Sequence, residues 1–241
     1  MNSVQPLHKV SYICSLSGTG QHDDVPQRRQ VCRSRLRMIR MTEKKILFLH
    51  GFFASGRCGP ATALRECFAG RATVLSPDLP LHPEAALDFI AELCDREHPD
   101  VIAGNSNGSF LGQIIASRTG IPALLGNPYF EMTRFLEERT GTHFYKSPRE
   151  DGKQELVIDR KLIEEFAAVQ EHQWDSFNPL YTDRIWGLFG DRDPIAHFEP
   201  VFLERYTTAF RFPGAHTPTA EEVREWYAPL VQKLLDKDIR I

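Results

Sequence analysis

Short apolar runs alternate with amphipathic segments along most of this chain, and this alternation limits the folds open to it. The first run, Ile46-Leu47-Phe48-Leu49, is continuously apolar, which is typical of a strand buried on both faces. Later strand-like runs begin at Thr73, Val101, Pro122, Ile185 and Ala209. Segments with apolar residues at helical spacing separate many of them. We therefore predict a three-layer α/β/α fold with about six mostly parallel core strands and helices on both faces.

The alternation lapses at about residues 128–178, where the sequence is polar. The clearest regular piece there is a predicted helix from Lys161 to Glu171. We interpret the stretch as a partly helical, lid-like insertion that covers the functional site. Its aromatic side chains either line a substrate pocket or pack the insertion itself; they are Phe130, Phe135, Phe144 and Tyr145.

The pentapeptide Gly104-Asn105-Ser106-Asn107-Gly108 follows one of these apolar runs and precedes a predicted helix. A serine at such a sharp strand-to-helix turn has a strained backbone and an exposed hydroxyl. Gly104 and Gly108 are needed because a Cβ at either position would collide with the neighbouring strand or helix. A glycine-rich turn without chemistry is the alternative, because so short a pattern also arises by chance. The motif predicts a serine nucleophile if a base, a carboxylate and an oxyanion hole accompany it.

A carboxylate and a histidine follow two later strands, in Gly190-Asp191-Arg192-Asp193-Pro194 and Pro213-Gly214-Ala215-His216. Because the carboxyl ends of parallel strands open into one crevice, Ser106, Asp193 and His216 are expected to meet there. A histidine can take the serine proton near neutral pH, and a buried carboxylate would orient it. Asp191 is the alternative acid.

The turn Leu49-His50-Gly51-Phe52 supplies the remaining part of the predicted site. Gly51 lets the backbone approach a substrate, and the backbone N–H groups of Phe52 and Asn107 are predicted to bind the developing oxyanion. We assign His50 a structural role, because His216 fits the base better. Asp78, which lies between two prolines, is predicted to order its loop.

These elements, in this order, resemble the α/β-hydrolase superfamily over about residues 45–236. Within it, the chain is similar to the small bacterial esterases of the YqiA type. The similar features are the I-L-F-L-H-G-F opening, Pro77-Asp78-Leu79-Pro80, the Ser106 turn, Asn127-Pro128, Gly190-Asp191 and the late glycine and histidine. The resemblance implies a Ser106 nucleophile, a His216 base, an aspartate of the Gly190 loop as acid, and acyl-ester or thioester hydrolysis without a cofactor.

The chain departs from the family pattern at two places. Asn107 stands where related proteins usually carry Leu, Met or Gly after the serine. The superfamily pattern G-x-x-D-P favours Asp193 as the acid, whereas the closer family often has its acid directly after the glycine, at Asp191. We favour Asp193 and expect Asp191 to be a turn residue.

The composition argues against a membrane-spanning protein, a disulfide-bonded protein and a metal site. Hydrophobic residues make up 41% of the 241 residues and charged residues 25%, which is ordinary for a soluble protein, and no apolar run is long enough for a membrane span. The five cysteines are not paired at close spacing, which favours free thiols in a reducing cytoplasm. Neither Cys nor His residues have the spacing of a metal site, so we predict no metal.

The charge is unevenly distributed. Residues 1–41 contain seven Lys and Arg and two Asp, so their net charge is about +5, whereas residues 42–241 carry about −8. We interpret residues 1–41 as a disordered basic extension and residues 42–241 as the hydrolase domain. Three interpretations of the extension compete: a start of translation at Met41, which we favour, a transit peptide and a basic arm. An acidic domain argues against nucleic acid as the main partner.

The sequence therefore predicts a serine hydrolase that acts on a small-molecule acyl substrate. Two alternatives remain open: a non-catalytic protein that binds a ligand in the same crevice, and an acyltransferase that uses the same three residues. The oligomeric state is not predicted.

Overall fold

The computed structural model describes residues 43–237. The predicted basic extension, residues 1–41, lies outside the described residues. Within the described part there are eight strands: β1 (Lys44–Leu49), β2 (Ala72–Leu75), β3 (Val101–Asn105), β4 (Ala123–Gly126), β5 (Gly141–Phe144), β6 (Glu155–Ile158), β7 (Ile185–Gly190) and β8 (Thr208–Phe212). Six of them form one sheet in the order β2-β1-β3-β4-β7-β8, in which every neighbouring pair is parallel. The predicted six-stranded core is confirmed.

The helices of the same part are α1 (Gly59–Phe68), α2 (Pro83–Glu97), α3 (Asn107–Thr119), α4 (Met132–Glu137), α5 (Arg160–Glu171), α6 (Glu199–Leu203), α7 (Ala220–Glu222) and α8 (Ala228–Asp236). A π-helical turn, Val223–Tyr227, joins the last two, and Pro179–Tyr181 is a 3₁₀ turn. A capping box begins α7, because Thr219 and Glu222 each accept the other's backbone N–H. Between residues 43 and 237 no helix has the length and apolar character needed to cross a bilayer.

The sheet separates two apolar cores, and side chains of β1 pack into both of them. Leu47 and Leu49 pack into the core beneath α2, α3 and residues 128–178, whereas Ile46 and Phe48 pack into the core beneath α1 and α8. Successive side chains of a strand point to opposite faces, so a strand buried on both faces must be apolar throughout. This arrangement is the predicted three-layer fold.

The insertion, residues 128–178, lies between β4 and β7 and contains α4, α5 and an antiparallel hairpin of β5 and β6. The helix predicted from Lys161 to Glu171 is present as α5, but the hairpin was not predicted. Aromatic side chains of the insertion contact the turn after β1. The ring centroids of Phe135 and Phe166 lie 6.1 and 5.8 Å from that of Phe52, edge to face. The insertion therefore packs directly against the predicted oxyanion loop.

Candidate active site

Ser106 occupies the turn between β3 and α3 and has a strained backbone. Its φ is 57° and its ψ is −120°, a backbone conformation that residues other than glycine rarely adopt. The turn is held from both sides, because the Ser106 N–H donates to the carbonyl of Gly126 and its own carbonyl accepts from Ser109 and Phe110. The strain is thus maintained by the ends of the neighbouring strand and helix.

The two glycines of the turn are required by packing. A Cβ added at Gly108 would lie 2.0 Å from the carbonyl oxygen of Leu49, and one at Gly104 would lie 2.8 Å from the backbone of Gly108. At Gly51 the nearest atom would be the Cβ of Ser106, at 3.6 Å, which is an ordinary contact. Gly104 and Gly108 therefore allow the turn to form, whereas Gly51 keeps the space beside the serine open.

The structure brings Ser106, His216 and Asp193 together in one hydrogen-bonded row. The Nε2 atom of His216 lies 2.8 Å from Ser106 Oγ, and its Nδ1 atom lies 2.7 Å from Asp193 Oδ2. All three residues follow the carboxyl ends of strands: β3, β7 and β8. The row spans 110 residues of sequence and forms because parallel strands end at the same side of the sheet.

Asp193 is buried and anchored, with only 3% of its surface exposed. Its Oδ1 atom accepts the backbone N–H groups of Ile195 and Ala196 at 2.9 and 3.0 Å. Burial disfavours its charge, but the hydrogen bond and charge of His216 and these two N–H groups outweigh burial and hold the Asp193 pKa below its ordinary value. The carboxylate is therefore ionised at neutral pH.

Asp191, the alternative acid, lies outside this row. Its carboxylate is about half exposed and pairs with Arg211 at 3.2 Å. Its backbone N–H donates to the carbonyl of Phe212, so it shapes the turn after β7.

An amide clamp that the sequence did not predict holds the loops of Asp193 and His216 in place. Asn127 is fully buried at the end of β4; its Nδ2 donates to the carbonyls of Ala215 and His216, and its Oδ1 accepts the Gly190 N–H at 2.7 Å. Asn105 adds a second donor to the His216 carbonyl at 3.2 Å. The backbone φ of Asn127 is 40°, a region in which Asn is more frequent than most residues. One side chain thus ties the Asp193 loop to the His216 loop.

The two predicted oxyanion donors have no competing acceptor. Among residues 43–237, neither the Phe52 N–H nor the Asn107 N–H is hydrogen bonded to another group of the protein. Asn107 is the first residue of α3, where a backbone N–H has no partner within the helix. Its side chain is buried, and its Oδ1 has no partner in the described part of the chain.

His50 and Asp78 order the loops beside the site, as predicted. His50 donates from Nδ1 to the Gly51 carbonyl and accepts the Leu79 N–H at Nε2, both at 2.9 Å. Burial lowers the His50 pKa to about 4, against the opposing effect of the Gly51 hydrogen bond, so its imidazole is neutral. Asp78 accepts the N–H groups of Gly56 and Glu150, which joins the loop after β1 to the insertion.

Ser106 and His216 open into a cavity of about 370 Å³. Its walls include Gly51, Phe52 and the start of α1 on the sheet side, and Phe135, Arg139 and Lys146 from the insertion. Of the four insertion aromatics considered above, Phe135 lines the cavity, whereas Phe144 is 64% exposed. No cluster of three or more potential metal ligands occurs in residues 43–237.

Solved structures of known proteins share this fold. Est1E from Butyrivibrio proteoclasticus superposes with a TM-score of 0.58 at 16% identity, over 81% of this chain and 89% of its own. Alpha/beta hydrolase domain-containing protein 10 from mouse gives 0.55 at 14% identity, over 80% and 90%. A structure from the metagenome-derived lipolytic enzymes LipS and LipT gives 0.58 at 14%, over 81% and 94%. Similarities at these identities establish the fold.

Comparison by sequence gives the family. No protein of curated function matches the chain significantly. The sequence model of the uncharacterised protein family UPF0227 matches residues 45–177, which is more than half of the chain and includes most of β1, the Ser106 turn and most of the insertion. The protein therefore belongs to the uncharacterised protein family UPF0227 and has the α/β-hydrolase fold.

Proposed function

We propose that this protein is a serine hydrolase that cleaves small or medium acyl esters or thioesters through an acyl-enzyme. The observation that carries the proposal is the row of Ser106, His216 and Asp193, with separations of 2.8 and 2.7 Å. A crevice that only binds a ligand does not require a strained serine aligned with a histidine and a buried carboxylate. The fold shared with the esterase and lipolytic structures is consistent with this activity.

In the first half of the reaction, Ser106 Oγ attacks the carbonyl carbon of the substrate while His216 Nε2 takes its proton. The carbonyl oxygen becomes an oxyanion, which the free N–H groups of Phe52 and Asn107 stabilise. The intermediate then expels the alcohol or thiol, which receives the proton from His216. The acyl group remains on Ser106 as an ester.

In the second half, His216 removes a proton from water while the water oxygen attacks the carbonyl carbon of the acyl-enzyme. The intermediate then collapses: the bond to Ser106 Oγ breaks, the proton passes from His216 to Ser106 Oγ, and the carboxylic acid is released. Asp193 keeps the Nδ1–H tautomer of His216 and stabilises the imidazolium that forms in both halves. The hydrogen bond and charge of His216, together with two backbone hydrogen bonds, keep Asp193 ionised for this role. The cavity of about 370 Å³ accommodates a short or medium acyl group.

Hydrolysis of p-nitrophenyl esters from acetate to decanoate tests the proposal. We expect turnover to fall at least about 10³-fold in Ser106→Ala, because the variant has no nucleophile. Ser109→Ala is the matched control, since Ser109 is the neighbouring serine and its hydroxyl bonds only the Gly126 carbonyl. Undiminished turnover in folded Ser106→Ala, or no turnover of any ester by the wild-type protein, would contradict it.

A further inference from the structure

The cavity at Ser106 is lined by cations but not by carboxylates. Arg139 and Lys146 are among its lining residues, and none of the described residues that line it is Asp or Glu. The domain around it is acidic, with about −8 over residues 42–241. Asp193, the nearest acid of the site, is buried behind His216. The charge of the cavity is therefore opposite to that of its domain.

Lys146 is held beside the oxyanion loop with its charge unpaired. Its backbone N–H donates to the carbonyl of Phe53 at 2.8 Å, which fixes this part of the insertion next to Phe52. Within residues 43–237, no carboxylate lies within 4 Å of its Nζ atom. An ammonium group without a protein partner is available to an anionic ligand.

Arg139 is preorganised by the insertion. Its guanidinium stacks over the ring of Phe135 at 4.1 Å, and its Nη1 donates to the Phe135 carbonyl at 2.8 Å. Glu138 approaches Nη1 at 3.2 Å but is half exposed, so solvent screens this pair. Among the described residues, the other N–H groups of the guanidinium have no hydrogen-bond partner, and a planar fork of donors suits a carboxylate or a phosphate.

The start of α1 adds to the same electrostatic preference. Gly59 and Pro60 line the cavity, and the first turn of the helix contains no acidic residue and no side-chain cap. A helix N-terminus carries a partial positive charge, although a small one beside the two side chains.

We infer that the substrate of this enzyme carries an anionic group, a carboxylate or a phosphate, away from its scissile bond, and that Lys146 and Arg139 bind this group. The inference rests on the proposed hydrolase function and adds the class of ester to it. A neutral ester would leave the Lys146 ammonium without a partner and Arg139 with only the solvent-exposed Glu138, whereas an anionic ester would pair with both cations. Charge-assisted hydrogen bonds of this kind correspond to about tenfold or more in affinity.

Pairs of esters that differ only in charge test the inference. On the acyl side, monomethyl glutarate is compared with its isosteric amide, methyl glutaramate. On the alcohol side, 4-acetoxybenzoate is compared with 4-acetoxybenzamide, and 4-acetoxyphenyl phosphate replaces the benzoate to test phosphate. We expect kcat/KM at pH 7 to favour the anionic member at least about tenfold in one arm, mainly through KM. The arm that shows the preference identifies the anion and its side of the ester.

Variants then connect this preference to the two cations. We expect the ratio of kcat/KM for the anionic ester to kcat/KM for the neutral ester to fall to within about threefold of one in Lys146→Met and in the double variant Lys146→Met, Arg139→Gln. The ratio falls because the charged contacts are lost. Lys153→Met and Arg160→Gln change exposed residues of the same insertion that do not line the cavity, and should keep the wild-type ratio.

The outcomes separate the two proposals. Where an ester is not turned over, we measure how strongly it inhibits fluorophosphonate labelling of Ser106. The reciprocals of the inhibition constants of the anionic and neutral esters then give the ratio in place of kcat/KM. A ratio near or below one in every arm, or a ratio that survives in the double variant, overturns the inference while leaving the hydrolase function intact. Failure of both turnover and Ser106-dependent labelling overturns the hydrolase function, and the inference with it.

Discussion

The carboxyl end of the sheet and the insertion both line the cavity, but they are built differently. The sheet supplies Ser106, Asp193 and Asn127, all buried and each fixed by several hydrogen bonds. The insertion supplies Arg139 and Lys146, and its hairpin exposes Phe144 and Val157 to solvent. Under the proposed function, the sheet would set the chemistry and the insertion would select the substrate.

The largest effect that tests this division concerns the two aspartates after β7. Asp193→Asn should lower kcat about 10³–10⁴-fold, because the amide cannot stabilise the imidazolium or hold the same tautomer. Asp191→Asn should change kcat less than about twofold, since it removes only an exposed ion pair. Ester hydrolysis by both variants provides the measurement; the reverse ranking would make Asp191 the acid.

Substitutions of two glycines at the carboxyl end of the sheet should differ in their effect on stability, because only one of the glycines is required for the turn to fold. Gly108→Ala places a methyl group against the Leu49 carbonyl and should lower the free energy of unfolding by about 3 kcal/mol or more. Gly51→Ala meets only ordinary contacts, so we expect a change of less than about 1 kcal/mol. Urea denaturation measures both. Equal losses would show that the tight packing of the turn does not depend on Gly108.

Acid should weaken the sheet end through His50. Its folded pKa of about 4 lies below the ordinary 6.5, so between these values the unfolded chain binds a proton that the folded chain does not. The free energy of unfolding should therefore fall as pH drops from 6.5 to 4, by about 3 kcal/mol in total. In His50→Gln this component is absent, and denaturation at pH 7 and 4.5 should show a smaller decrease. The same decrease in both proteins would contradict the buried, neutral state of His50.

The Asn127 clamp should influence the rate more than substrate binding. Asn127→Ala removes hydrogen bonds to the Asp193 and His216 loops, so we expect kcat to fall about 10- to 100-fold while KM stays within about threefold. Steady-state kinetics on one ester gives both values. A rise in KM with constant kcat would instead assign Asn127 to substrate binding.

The exposed side of the insertion should be the most tolerant region. Phe144→Ser changes a side chain that is 64% exposed, and we expect the free energy of unfolding to change by less than about 0.5 kcal/mol. Thermal unfolding measures the change. A large loss of stability would show that this face is packed in the native protein, and would contradict the difference between a fixed sheet end and an exposed insertion.

The sequence predicted the sheet end well because its signals are local or topological. The Ser106 turn is a contiguous motif, and the rule that parallel strands end together placed Asp193 and His216 beside it. Asn127 was not recognised as a clamp, because its partners lie 63 to 89 residues further along the chain and no local pattern marks an amide that bridges two loops.

The insertion was predicted less well, for a physical reason. The strand β5, Gly141–Phe144, is mostly exposed, so burial imposes no apolar alternation on its sequence. The sequence made Phe144 a candidate for pocket lining or for packing of the insertion, but its side chain is largely exposed. The sequence does not single out Arg139 and Lys146, because single charges on a polar segment carry no signal. Their position became informative only when the fold placed them at the cavity.

The central claim is that the turn after β3 presents Ser106 as the nucleophile. A fluorophosphonate probe followed by peptide mass spectrometry tests it most directly, because the probe bonds covalently to an activated serine. We expect one adduct, on the peptide that contains Ser106, with labelling abolished in Ser106→Ala, slowed in Asp193→Asn and unchanged in Asp191→Asn. A folded protein that is not labelled, or labelling that persists in Ser106→Ala, would contradict the claim.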